Sequence, residues 1–370
     1  MYYRCIIFPG LLIAKLHEYG VSVHACKLIA SYFTDRKQRV KIGENRSDWI
    51  DINIGAPQGS LIGPFSYNIF TNDLLLKMET ICEIYNYADD NSVCCYDSDI
   101  NCVKTSLEHI CNFMILWFEQ NYLKANPDKF QAIVFGNHSD LHDVTINIGQ
   151  TYVNTCDMVK LLGVYIDKDL DFTHHISEMC KKVSRKVNAL SRLTPTLNMQ
   201  SKLTLYNCFI LSQFGYCSII WHFCKLADVK KMEKLQYRAL KIVSQNFNAT
   251  YKELLDIYEM PLLYVRRIRS ILIETYRILN KIGPKYLHNL LSLKDSVYNL
   301  RTYKPVQLKP CKSNKYGLKS FSYEAGNLWN FLPTDIKCAN DLKRFKDLLC
   351  QWKPDCTCNV CTICSLYINV

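Results

Sequence analysis

Two adjacent carboxylates, Asp89 and Asp90, sit inside an apolar segment, with Ile84, Tyr85, Tyr87 and Ala88 before them and Val93, Cys94, Cys95 and Tyr96 after. Two neighbouring anions are costly to hold in such a setting unless a cation neutralises them. In nucleotidyl transfer that cation is a pair of Mg²⁺ (or Mn²⁺) ions, which activate the attacking hydroxyl and hold the leaving pyrophosphate. An Asp-Asp dipeptide alone is more often a turn or a solvated loop charge. The balance shifts because Gly55-Ala56-Pro57-Gln58-Gly59-Ser60 lies upstream. There Gly59 lets the backbone approach a base or sugar, and Gln58 can hydrogen-bond to a template or an incoming nucleotide. Pro57 and Ser60 lie in the same segment. In isolation the same glycine segment is a plain turn.

The strand formers flanking the Asp pair predict a hairpin with the carboxylates at its turn. Two helices are predicted over 11–19 and 25–33, divided at Tyr19-Gly20. Strands at 39–42 and 49–54 follow, turning at Gly43-Glu44-Asn45, and then a helix to Leu76. Val103, Leu107, Ile110, Phe113 and Trp117 mark one face of a long amphipathic helix over 102–122. Strands are expected at 130–135 and 159–166. From Thr173 the apolar period turns helical, with Ile176, Met179, Val183, Val187 and Leu190 on one stripe, and Val229, Met232, Leu235 and Leu240 on another.

At 370 residues, with 49% apolar and 21% charged content, the chain has room for two or three folded domains. Its net charge of +11 is unevenly spread: residues 171–295 hold 20 Lys/Arg against 9 Asp/Glu, and the remainder is balanced. Lys181, Lys182, Arg185 and Lys186 concentrate charge on one helix, and Arg266 adds to the same region. Such a face suits a phosphate backbone, and equally a solvated surface. The 19 cysteines are scattered in apolar contexts without a secretory signature, which fits reduced thiols in a nuclear or cytoplasmic protein. The uncharged stretch 203–224 contains Asn207, Gln213 and His222 and reads as buried core helix, so no membrane association is expected.

The stretch from Gly55 to Pro64 followed by Asn68-Ile-Phe-Thr-Asn-Asp-Leu74, then Asn86-Tyr-Ala-Asp-Asp-Asn91, Asn126-Pro-Asp-Lys-Phe130 and Lys160-Leu-Leu-Gly-Val-Tyr-Ile-Asp167, resembles in order and spacing the motifs of reverse transcriptases from non-LTR (LINE-type) retrotransposons. The likeness continues through His174-His175-Ile176, Tyr216-Cys217 and Trp221-His222-Phe223 to the C-terminal region. The resemblance implies an α+β fold: a palm with a ferredoxin-like sheet and helices, then an all-helical thumb that grips the primer–template. It divides the chain into a fingers/palm remnant (1–45), the palm (46–170), a basic thumb (171–291) and a C-terminal region (292–370). It implies an RNA template, a DNA primer and dNTPs as partners. Asp89 would ligate both metals, Asp90 would support it, Lys129 would protonate the leaving pyrophosphate, and Leu162 and Gly163 would support the primer terminus.

One feature of the family is not matched. Its other metal-binding Asp aligns at or before the first residues, yet the only acid preceding Asp35 is Glu18. The resemblance therefore implies an N-terminally truncated, catalytically defective polymerase, with the Asp89-Asp90 hairpin lacking its neighbouring catalytic strand. The alternative is a non-catalytic nucleic-acid-binding remnant. Near the C-terminus, Cys356, Cys358, Cys361 and Cys364 could wrap one Zn²⁺. Their spacing is tighter than that of separated knuckles, and an unstructured tail fits as well.

Overall fold

Pro9 at the first helical position, a left-handed Gly20 and the Ser22 side chain accepting from Ala25 N separate α1 (Pro9–Glu18) from α2 (Val23–Phe33). This is the division expected from sequence. The computed structural model describes residues 7–57, 59–136, 144–294, 305–308, 310–311, 313 and 315–352. The chain forms two compact units, Met1–Asp157 and Met158–Val370.

In the first unit an exposed hairpin follows α2. Its arms are β1 (Arg36–Gln38) and β2 (Lys41–Ile42) running out, and β3 (Asn45–Arg46) and β4 (Ile50–Ile52) running back. Helix α3 (Ile62–Met78) is buried through Tyr67, Phe70, Leu74 and Met78. Its first half packs on Leu12 and Leu16 of α1 and on Cys26 and Phe33 of α2. Its second half packs on Ile110, Met114 and Trp117 of the amphipathic helix α4 (Ile100–Gln120). Between α3 and α4 in sequence come β5 (Glu83–Tyr87) and β6 (Asp90–Cys94), whose Ile84 and Val93 join that second cluster.

Another hairpin, β7 (Thr145–Ile148) and β8 (Thr151–Asn154), docks on α4: Asn147 N donates to Glu108 Oε1 at 2.8 Å. Sequence reading passed over it, although Thr145, Ile146, Asn147 and Ile148 alternate before a left-handed Gly149.

Two expectations for the sheet need correction. Among the described residues there is no continuous ferredoxin-like sheet; the strands pair only as two-stranded ladders. The expected strand at 130–135 is reduced to one parallel bridge, Ala132 to Thr155. Period and propensity identify strands, but which strands pair depends on partners distant in sequence.

The second unit begins with the hairpin β9 (Met158–Leu161) and β10 (Val164–Asp167), so the compact boundary lies ahead of this strand pair. Then come α5 (Thr173–Leu193), α6 (Met199–Leu205), a π-helical turn over Tyr206–Leu211, α7 (Ser212–Gly215), α8 (Leu226–Ser244), α9 (Tyr251–Ile257) and α10 (Leu263–Leu279). Helices α11 (Phe321–Phe331), α12 (Thr334–Lys337) and α13 (Leu342–Gln351) close the unit. The Phe345 ring of α13 stacks on Tyr276 of α10 at 4.4 Å and on Trp329 of α11 at 5.8 Å, so α11 and α13 share the helical core with α10.

The C-terminal stretch also clasps the loop after β10. Lys319 and Lys225 both pair with Asp171, at 3.1 and 2.9 Å, and Lys315 pairs with Asp169. Chiefly the hydrogen bond from Lys225, with help from Lys319, holds the Asp171 carboxyl below its ordinary pKa. Among the described residues no helix is long and apolar enough to cross a membrane.

Candidate functional site

The Asp89-Asp90 hairpin forms where the flanks predict it. β5 and β6 pair in antiparallel register from Glu83 opposite Cys94 to Tyr87 opposite Asp90, leaving Ala88 and Asp89 as the two turn residues. Ala88 sits at φ +55°, the left-handed conformation that a tight hairpin turn demands of its first central residue. Alternation sends Ile84 and Val93 inward onto α3 and α4. Tyr85, Tyr87 and Asp90 share the opposite, exposed face. Asn86 and Asn91 hydrogen-bond across the ladder just below the turn. Asp89 and Asp90 are both exposed, and among the described residues β5 and β6 pair only with each other.

Among the described residues, no group of three or more His, Cys, Asp or Glu side chains is placed to hold a metal ion. The two carboxylates could supply part of the oxygen shell of one hydrated Mg²⁺. They do not make up the donor set of a two-ion centre.

The glycine segment forms a folded approach to α3. Gly55 and Gly59 take φ +81° and +80°, and Gly55 N donates to Ile7 O at 2.9 Å. Ser60 Oγ accepts from Gly63 N at 3.0 Å, fixing the first turn of the helix. Pro57 and Gly59 are exposed and Ser60 is half-buried, while Gln58 lies outside the described residues. A Cβ at Gly59 meets nothing within 4 Å, so in this chain the residue is required by its backbone conformation. Lys129 is exposed at the end of a 3-10 turn, Pro127–Lys129, capped by the Asn126 side chain.

In the second unit the Leu162-Gly163 turn is held at its tip. Tyr216 Oη donates to Leu162 O at 2.6 Å, and its ring would contact a Cβ at Gly163, which sits at φ +86°. On α5, Lys181, Lys182 and Arg185 are exposed and Lys186 is half-buried near the Phe209 ring, opposite the buried stripe of Ile176, Val183 and Val187.

Helix α8 extends this surface, which sequence reading missed. Lys231 Nζ reaches Ser177 Oγ at 3.5 Å and Arg238 Nη2 donates to Asn188 Oδ1 at 2.8 Å, so Lys231, Lys234 and Arg238 line up beside the basic residues of α5. Spacing within one helix could not reveal a neighbour fifty residues away. Arg266 does not belong to this surface: it is half-buried, and its Nε is enclosed. The four candidate zinc ligands, Cys356, Cys358, Cys361 and Cys364, lie outside the described residues, and nothing supports a zinc site.

Residues 10–166 match the family described as Reverse transcriptase (RNA-dependent DNA polymerase). The chain is 27% identical over 248 residues to an RNA-directed DNA polymerase from mobile element jockey of Drosophila funebris, covering 64% of this chain and 26% of that protein. It is 24% identical to a probable RNA-directed DNA polymerase from transposon BS of Drosophila melanogaster, covering 59% and 25%. These matches support a reverse transcriptase domain over residues 10–166, similar to those of non-LTR retrotransposons. The chain spans about a quarter of the length of these relatives.

The matched region is braced by a half-buried ion pair absent from the sequence reading. Lys15 of α1 reaches Asp73 Oδ1 and Phe70 O of α3, both at 2.8 Å, and lies over the Phe70 and Trp117 rings. Trp117 Nε1 of α4 donates to the other Asp73 oxygen at 3.2 Å. Burial lowers the Lys15 pKa even though Asp73 opposes the shift. Asp73, within the Asn68–Leu74 motif, thus ties together α1, α3 and α4.

Proposed function

We propose that this chain is the palm and thumb portion of an RNA-directed DNA polymerase that copies RNA from a DNA primer using dNTPs. The observation that carries the reading is the Asp89-Asp90 turn, displayed at the tip of a hairpin inside the region that matches the family. In this reading Asp89 and Asp90 are Mg²⁺ ligands. Pro57, Gln58, Gly59 and Ser60 contact template or nucleotide, Lys129 reaches the leaving pyrophosphate, and the Leu162-Gly163 turn supports the primer terminus. Lys181, Lys182, Arg185 and Lys186, with Lys231, Lys234 and Arg238, follow the nucleic-acid backbone.

When bound, the metal pair would supply charge neutralisation and an activated hydroxyl. The chain itself contributes the carboxylates of the Asp89-Asp90 turn and the backbone of the glycine segment. Among the described residues no third His, Cys, Asp or Glu stands with Asp89 and Asp90 to complete such a centre, and in this reading the chain by itself does not sustain polymerisation. A second reading, a nucleic-acid-binding protein without catalysis, draws on the α5–α8 surface, which needs no metal.

Metal binding tests the assignment of the two aspartates. Substoichiometric Mn²⁺ should broaden the amide resonances around Ala88 to Asn91 ahead of those near other exposed acids, with affinity of about millimolar, as expected of a site with few charged ligands. Asp89→Ala should remove the preference. Broadening that is uniform, or that survives Asp89→Ala, would show that the turn is not a metal ligand.

A further inference from the structure

The hairpin at 36–52 sorts its side chains sharply. Register pairs Lys37 with Asp51 and Lys41 with Arg46, and the one-residue offset between the two ladders sets Asp48 and Trp49 together opposite Arg39 as a bulge. Alternation then gathers Lys37, Arg39, Lys41, Arg46 and Trp49 on one face, and Gln38, Val40, Ile42 and Ile50 on the other. Two contacts fix the first face independently: the Arg39 guanidinium lies 4.5 Å from the centre of the Trp49 ring, and Lys37 pairs with Asp51 at 3.3 Å.

Lys41 and Arg46 directly oppose one another, a like-charge pair that destabilises a ladder. Among the described residues neither has a carboxylate within ion-pairing distance, and both are exposed. Trp49 is 57% exposed, so a large flat apolar ring stands open against Arg39, on the face that also carries Lys41 and Arg46. Successive cations on the outgoing arm stand about 6.7 Å apart.

We propose that this face is a binding site for single-stranded nucleic acid. The cations take successive phosphates, and one unpaired base stacks on Trp49 against the Arg39 guanidinium. Polyanionic charge resolves the Lys41–Arg46 repulsion, and a base plane covers the exposed indole. A duplex keeps its base faces stacked internally and cannot make the second contact. The proposal shares with the polymerase reading only the premise that the chain handles nucleic acid. It concerns the 36–52 hairpin, which lies outside the motifs that carry the family resemblance, and it requires no catalysis.

The experiment is fluorescence anisotropy of the full chain with labelled oligo(U) RNA and oligo(dT) DNA at about 0.1 M KCl, with circular dichroism of each variant as a fold check. Trp49→Ala should weaken binding of both by roughly 5- to 100-fold, the loss of one stacked base, and Trp49→Phe should stay near wild type. The triple variant Arg39→Ala/Lys41→Ala/Arg46→Ala should flatten the plot of log affinity against log salt by about 2, given about 0.7 per phosphate on a single strand. Equal RNA and DNA affinities would support phosphate and base contact alone. An RNA preference lost in the hairpin variants would support an added contact to the 2′-hydroxyl. Wild-type affinity and slope in both variants would overturn the proposal, leaving the cations to solvent or to an acidic protein. If charge reversal on α5 and α8 still abolished binding in that case, the nucleic-acid reading of the chain would stand without the hairpin.

Discussion

Reversing Lys181, Lys182, Lys231 and Arg238 to Glu is expected to weaken binding of an RNA–DNA hybrid by at least about 100-fold at 0.1 M salt and to remove most of the salt dependence. These side chains project from adjoining helices, with Ser177 bonded to Lys231 and Asn188 to Arg238. The apolar stripe of Ile176, Val183 and Val187 faces the other way, so reversal leaves the core intact. Glu178 already neutralises part of the Lys181 charge through a 2.7 Å contact, which makes Lys181→Glu the weakest of the four changes taken singly. Asp89→Ala should leave this affinity unchanged. Anisotropy titrations at two salt concentrations check both points. A quadruple variant that binds like wild type would show that the basic face is merely solvated.

The largest stability effect should come from Glu233→Ala. Glu233 is fully buried on α8, where it accepts from Tyr251 Oη and, at 2.9 Å, from Tyr264 N. Arg267 is buried nearby on α10, with its guanidinium 5.2 Å from the centre of the Trp221 ring and 5.3 Å from that of Tyr264. Burial raises the Glu233 pKa and lowers that of Arg267, while each partner's charge opposes the other's shift. Removing the carboxylate strands two donors and leaves a buried cation without its counter-charge, at a cost of roughly 3–5 kcal/mol. Glu233→Gln keeps an acceptor and should cost less. Amide hydrogen exchange of the buried α8 and α10 backbone in the full chain measures the loss without assuming that the two units unfold together. A change below about 1 kcal/mol would mean that the network contributes little.

These residues also show where sequence reading stopped. The charge count over 171–295 does not separate surface from core: Lys202 and Arg267 are buried at 5% and 2% exposure. Composition cannot separate a phosphate-facing cation from one enclosed among aromatic rings. Local pattern served better. Ile84, Tyr85 and Tyr87 against Val93 located the Asp89-Asp90 hairpin, and the stripe on 103–117 located α4, because strand and helix periods are properties of neighbouring residues. Pairing over long separations stayed hidden. Lys15 with Asp73 and Trp117, Lys319 with Asp171, and the isolated two-stranded ladders all depend on residues that only the folded chain brings together. The Arg39–Trp49 face lay between: its strands were legible, but its bulge, and so the side on which each residue falls, was not.

RNA-templated primer extension by the 370-residue chain, with Mg²⁺ and separately with Mn²⁺, tests the account most directly. The carboxylate turn is proposed as a genuine but incomplete metal site. Incorporation should therefore stay at background with either ion, and Asp89→Ala should not lower it, while the wild-type chain still binds the primer–template. Robust extension that Asp89→Ala abolishes would contradict the account, because it would mean that Asp89 and Asp90 already work within a complete two-metal centre.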